Sequence, residues 1–141
     1  MDVDRIMRGL TECSAVSKDE TSELELYNVI KQGLPYDVIS AVEKQGIIDR
    51  SELNEFVPNR TLARRKIEDR LSPEESEKLA RLIRIHELAV EVFGNKEKAR
   101  KWLRTSNRAM SGHEPLQLTH TEFGARIVET VLGRIEHGLF S

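Results

Sequence analysis

The chain is poor in the residues that hold or decorate many small proteins. It has one cysteine, Cys13, in 141 residues. No internal disulfide can form, and an unpaired thiol suits the reducing cytoplasm. Aromatic residues are 5% of the total, so the core has to be aliphatic. No apolar run approaches the roughly 20 residues of a membrane span. Asp2, Asp4, Arg5 and Arg8 stand where a signal peptide would carry its apolar stretch. The four histidines, His86, His113, His120 and His137, show no ligand spacing with cysteine or with one another, so no metal is expected. A glycine-rich phosphate loop is missing, and no serine or cysteine sits in a nucleophile motif. The expectation is a protein that binds, with no catalytic residue and no cofactor.

What is present is charge, 33% of residues, and 38% hydrophobic content with 8 glycines and 4 prolines. That composition suits a soluble, mostly helical chain of one sizeable domain or two small ones. The net charge of −2 conceals a segregation. Residues 1–30 hold seven acids and three bases, and residues 111–141 four acids and two bases. Between them, residues 59–70 hold five bases (Arg60, Arg64, Arg65, Lys66, Arg70) against Glu68 and Asp69. Positive charge gathered mid-chain is what an anionic partner such as DNA would meet.

Residues 1–21 lack periodicity and are expected to be mobile or weakly helical. Ser22 then caps a helix carrying Leu24, Leu26, Tyr27, Val29 and Ile30, which Gly33 ends. Pro35 fits the first position of a second helix, with Val38, Ile39 and Val42 inward and Gly46 as its stop. Asp49 with Glu52 forms a capping box for a short third helix, whose Leu53 and Phe56 face inward. Val57-Pro58 breaks that helix, and Asn59 caps a fourth over residues 60–69.

A short helix, a tight break and a second helix make a helix-turn-helix. On the second helix, Leu62, Ala63, Ile67 and the stem of Lys66 are expected to pack inward. Thr61, Arg64, Arg65 and Glu68 are expected to face outward. Arginine forks onto guanine edges, and Asn59 and Thr61 can reach phosphates or bases. The candidate DNA-binding residues are therefore Asn59, Arg60, Thr61, Arg64, Arg65 and Lys66, on a helix lying in the major groove. A solvated charged face would carry the same residues.

Ser72-Pro73-Glu74-Glu75 marks the start of a helix of about 20 residues ending at Gly94, with proline in the first turn and a second capping box. One apolar face holds Leu79, Leu82, Ile83, His86, Ala89, Val90 and Phe93, and a second holds Ile85, Leu88 and Val92. Two apolar sides call for two covers, which points to a homodimer. His86 is expected to be a hydrogen-bonded core histidine. Asn95 caps a shorter helix with Ala99, Trp102 and Leu103 inward, and a loop of turn residues follows up to Pro115. In the last helix Phe123, Ile127, Val128, Val131, Leu132 and Ile135 read as one buried stripe. Gly138 is placed as a left-handed cap, followed by Leu139-Phe140-Ser141. Leu139 and Phe140 either fold back onto their own core or offer an apolar hook to another protein.

Several of these stretches occur together in one known family. Arg60-Thr61-Leu62-Ala63-Arg64-Arg65-Lys66, Leu71-Ser72-Pro73-Glu74-Glu75-Ser76, Val92-Phe93-Gly94-Asn95-Lys96-Glu97-Lys98-Ala99 and Trp102-Leu103-Arg104-Thr105 stand in that family's order. So do Gly124-Ala125-Arg126 and Leu132-Gly133-Arg134-Ile135-Glu136-His137-Gly138-Leu139-Phe140-Ser141. Over residues 34–141 the chain resembles the Xre/MbcA/ParS antitoxins that pair with RES-domain toxins. It departs at Met110-Ser111-Gly112, where the family usually reads Leu-Gly-Gly, and at Thr119-His120, where a further leucine is common.

The resemblance implies an all-α fold: an N-terminal helix-turn-helix (Xre-like) bundle followed by a C-terminal helical toxin-binding domain. The expected divisions are residues 1–21, 22–71 for the helix-turn-helix domain, and 72–141 for toxin binding and dimerisation. RES toxins resemble ADP-ribosyltransferases and destroy NAD, and the antitoxin would block the NAD cleft with its C-terminal end. The toxin-binding residues would be Gly133, Arg134, Ile135, His137, Gly138, Leu139, Phe140 and Ser141. Arg134, His137 and Ser141 would meet polar groups, and Ile135, Leu139 and Phe140 the apolar wall. The expected partners are the cognate RES toxin, operator DNA and a second copy of the chain, with no metal and no membrane. The other function that these residues fit is a stand-alone dimeric repressor whose C-terminal domain dimerises or senses a ligand.

Overall fold

The computed structural model describes residues 23–138, and among these the chain forms eight α-helices, one 3-10 turn and no strand. The expected mobile segment 1–21, the Ser22 cap and Cys13 lie outside the described residues. So do Leu139, Phe140 and Ser141. The helices are α1 (Glu23–Gln32), α2 (Val38–Lys44), α3 (Arg50–Phe56), α4 (Asn59–Glu68), α5 (Pro73–Phe93), α6 (Lys96–Leu103), α7 (Pro115–Leu118) and α8 (Glu122–Glu136). The chain divides into two compact units, Met1–Ile83 and Arg84–Ser141, with the division inside α5.

The first unit buries an aliphatic core of Leu34, Val38, Ile39, Val42, Ile47, Ile48, Leu53 and Leu62. Its helix ends follow local chemistry. The Asp49 carboxylate accepts from the Glu52 amide while Glu52 reaches back to the Asp49 amide, both bonds of a capping box. Ser72 and Glu75 repeat the device at α5. Pro35 departs from expectation. Helix α2 begins at Val38, and Pro35 instead pairs with Arg70 in an isolated antiparallel bridge.

That bridge belongs to a seam between two connections, the one after α1 and the one after α4. The Leu71 amide donates to the Leu34 carbonyl at 2.9 Å, the Leu34 amide to the Ser76 hydroxyl at 2.8 Å, and Arg70 to the Gly33 carbonyl at 2.9 Å. Gly33 has φ +95°, and a Cβ there would stand 2.1 Å from the Leu71 carbonyl oxygen. Glycine therefore serves two needs at once, a left-handed turn and a close backbone approach.

In the second unit Ile85, Ala89, Ala99, Leu103, Met110, Ala125, Val128 and Leu132 are buried. Trp102 is half-buried, its ring 5.6 Å from that of Phe93. The Asn95 side chain caps α6 and Thr121 caps α8. Helix α7 packs on α8 so closely that a Cβ on Gly124 would lie 1.9 Å from the Leu118 carbonyl oxygen. Arg84 is buried, and its Nη2 reaches Glu122 and Glu129.

Three expectations are overturned here, two about helix faces and one about a hydrogen bond. On α8 the buried side is Gly124, Ala125, Val128, Val131 and Leu132, while Phe123 is 77% and Ile127 38% exposed. Small residues bring α8 close to α7, which turns the two large side chains outward. On α5 the second apolar face needs no second copy, because Ile85 and Leu88 are already buried within the single chain. His86 is buried as expected, but neither ring nitrogen has a hydrogen-bond partner among the described residues, and Glu87 Oε1 stands 3.8 Å from Nδ1.

Candidate functional site

Helix α4 touches the rest of its unit through very little. Leu62 is its one buried side chain, with Thr61 and Arg65 at the margin. Residues 61, 62 and 65 span one side of a helix at 100° per residue, and 60, 63, 64 and 67 span the opposite side. The structure follows that division. Arg60, Ala63, Arg64 and Ile67 are all exposed, Ile67 to 87%. Ala63, Ile67 and the stem of Lys66, expected to pack inward, do not. The buried side is turned by about a third of a turn from the one that hydropathy suggests.

The physical cause is Arg65. Its Nε donates to Glu75 Oε1 at 2.8 Å and its Nη1 to Glu68 at 3.1 Å, with 17% of the side chain exposed. Arg65 was expected to face outward as a DNA contact; its guanidinium faces its own chain. Burial pushes the Glu75 carboxyl up, but the Arg65 guanidinium and the Ser72 amide and hydroxyl outweigh that and hold it below the usual range. The same bond to Glu75 raises Arg65.

Asn59 is also placed differently. Helix α4 starts at Asn59, with Pro58 in the cap position and no side-chain cap bond. Its side chain stays exposed, as do those of Arg60, Arg64 and Lys66, while Thr61 is partly covered. A basic helix held by one apolar anchor and one ion pair leaves most of its circumference open. Ala63 and Ile67 join its outer stripe, and a paired arginine on the other side is the signal that could have found them.

At the far end of the chain, α8 closes with His137 as C-cap and Gly138 at φ +74°. That is the left-handed residue expected there. Arg134, His137 and Gly138 are exposed, and Gly133 and Ile135 are half-buried. The remaining members of the expected toxin-binding set, Leu139, Phe140 and Ser141, lie outside the described residues. No group of three histidine, cysteine, aspartate or glutamate residues able to hold a metal occurs among the described residues. No described helix is long and apolar enough to cross a membrane.

These features define a class: an all-helical protein with a helix-turn-helix unit and a second helical domain. Residues 25–84 match the family model for the antitoxin Xre-like helix-turn-helix domain. Residues 88–138 match that for the antitoxin Xre/MbcA/ParS C-terminal toxin-binding domain. The chain is 39% identical over 120 residues to an Antitoxin Xre of Yersinia enterocolitica, covering 82% of this chain and 81% of that one. It is 31% identical over 118 residues to the Antitoxin Xre of Pseudomonas putida (83% and 74% covered). Against that of Photorhabdus laumondii it is 28% identical over 117 residues (80% and 79% covered). The chain belongs to the Xre antitoxin family.

Proposed function

We propose that this antitoxin neutralises a cognate RES-domain toxin, one that degrades NAD, and represses its own operon by binding the promoter. Neutralisation is occlusion. The segment 133–141 enters the toxin's active-site cleft, with Arg134 and His137 on its polar groups and Ile135, Leu139 and Phe140 on its apolar wall. No bond is made or broken, so the chain acts as no enzyme and needs neither cofactor nor metal. A helical anchor loses less entropy on docking than a loose tail would.

Helix α4 enters the major groove of the operator. Arg60 and Arg64 lie on its outer stripe with Ala63 and Ile67, whose methyl groups suit thymine. Asn59, Thr61 and Lys66 flank the stripe, and Arg65 fixes the helix's rotation. A homodimer would set two such helices roughly 34 Å apart on a two-fold site. Both activities belong in the cytoplasm, where operator and NAD are.

The observation that carries the toxin reading is the match of residues 88–138 to a toxin-binding domain, whose last helix ends with Arg134, Glu136, His137 and Gly138 exposed. Co-expression with the product of the adjacent gene tests it. The expected result is a co-purifying complex and cells that retain NAD, with both effects lost on deletion of residues 138–141. NAD loss unchanged by the antitoxin would overturn the toxin reading. A truncated chain that still protects would overturn the role of the C-terminal segment.

A further inference from the structure

Helix α8 has an outer face whose first part, ahead of residue 133, the neutralisation just described leaves unused. Taking 100° per residue, positions 123, 127, 130, 134 and 137 fall within about 80° of one another, and the stripe runs roughly 21 Å along the axis. All five side chains are exposed, and none of the buried residues of α8 falls among them. The stripe begins with Phe123, 77% exposed, and Ile127, and ends at Arg134 and His137 beside the segment proposed to enter the toxin.

Within residues 88–138, the span that matches a toxin-binding domain, the exposed large apolar side chains among the described residues are Phe123 and Ile127. A phenylalanine left in water at the start of an otherwise well-packed helix is a cost that binding would remove. Arg126 beside the stripe pairs with Glu122, its Nε 3.6 Å from Glu122 Oε2, and Glu122 and Glu129 also reach the buried Arg84. The stripe's first half is thus apolar, and the occupant it suits is an apolar hollow on the toxin that takes Phe123 and Ile127.

We infer that Phe123 and Ile127 form a second anchor for the toxin, so that the antitoxin grips along the whole of α8 and not by its end alone. The inference rests on the proposed toxin partnership and adds the site's second half. Two anchors on one rigid helix explain how a short plug can be held: both add to the affinity, and the end also supplies the occlusion.

The test uses the purified full-length antitoxin and the toxin from the adjacent gene. Affinity is measured by calorimetry, fold by circular dichroism and mass by light scattering. Phe123→Ser with Ile127→Ser is expected to weaken toxin binding about 30-fold or more. Helicity, mass and operator affinity should stay at wild-type values. Wild-type affinity in the double variant overturns the inference while leaving the toxin reading standing. A fall in mass from a multimer to a monomer in the double variant also overturns it, since the face would then join two copies. If the wild-type antitoxin itself fails to bind the toxin, the reading beneath the inference has failed, and the two failures are told apart by that control.

Discussion

The Arg65 guanidinium donates to the Glu75 carboxylate at 2.8 Å, and the same carboxylate oxygen accepts the Ser72 amide at 2.9 Å. One oxygen therefore serves as the reciprocal half of the α5 capping box and as the stop that sets the rotation of α4. Since Leu62 is the only side chain of α4 that is buried, this ion pair decides which residues the helix turns outward.

Arg64 and Arg65 should consequently behave differently, although they are neighbours of the same type. Arg64→Ala removes an exposed side chain and should leave stability within about 0.5 kcal/mol of wild type. It should lower operator affinity and reduce the slope of log affinity against log salt, by about 1 if Arg64 contacts a phosphate. Arg65→Ala should cost about 1.5–3 kcal/mol of unfolding free energy, the range for a charged hydrogen bond, and weaken operator binding through misplacement of α4. Urea melts and fluorescence anisotropy on operator DNA at several salt concentrations separate the two. Equal stability loss in both variants would contradict the assignment.

Acid should reveal Glu75. Its folded pKa lies below the ordinary glutamate value because Arg65 and Ser72 favour the charged form more than burial disfavours it. A depressed carboxylate contributes stability that is complete above the unfolded pKa, about 4.3. The contribution is lost as pH falls through the lower folded value. The wild type should therefore lose stability below about pH 4. Glu75→Gln should be less stable at pH 7 and show a shallower decline in acid. Denaturant midpoints at a series of pH values check the sign.

Much of this architecture could be read from residue types alone, because its signals are local. The Asp49–Glu52 and Ser72–Glu75 boxes, the Asn95 cap and the positive φ of Gly33, Gly94 and Gly138 each depend on a few adjacent residues. The rotation of helices about their axes was not legible. For α4 it is set by Arg65 finding Glu75 ten residues away. For α8 it is set by Gly124 meeting the Leu118 carbonyl. Hydropathy assigns arginine outward and phenylalanine inward, and at Arg65 and Phe123 both assignments fail for these non-local reasons. The same blindness produced an outward Arg65 in the DNA set and hid Phe123 and Ile127 among the expected core.

The second unit holds a buried charge whose removal should be asymmetric. Arg84 Nη2 lies 3.0 Å from both Glu122 Oε2 and Glu129 Oε1, with 2% of the arginine side chain exposed against 42% and 28% for the two acids. Arg84→Met frees two carboxylates that water already reaches, so the loss should stay below about 2 kcal/mol, since apolar replacement of a buried ion is often near neutral. Glu122→Gln with Glu129→Gln leaves the guanidinium buried without a counter-charge and should cost about 3–5 kcal/mol. Thermal and urea unfolding of the two variants decide it, and the reverse order would show that the acids, not the arginine, carry the desolvation cost.

Two glycines should divide the protein's activities. A methyl group at Gly33 meets the Leu71 carbonyl oxygen at 2.1 Å under a φ of +95°, and one at Gly124 meets the Leu118 carbonyl oxygen at 1.9 Å. In both cases the obstacle is backbone, which cannot rotate away as a side chain would, so each alanine should cost more than the ~1 kcal/mol that an incompatible φ alone demands. The damage should differ by place. Gly33→Ala forces apart the seam between residues 33–35 and 70–71 that braces α4 from behind, so operator binding should fall while toxin binding persists. Gly124→Ala pushes α8 from α7 and shifts the whole helix proposed to face the toxin, so toxin binding should fall while operator binding persists. Anisotropy on operator DNA and calorimetry with toxin, run on both variants, give a crossed pattern if the two faces are built as described. Parallel losses would mean that neither glycine acts through the face it supports.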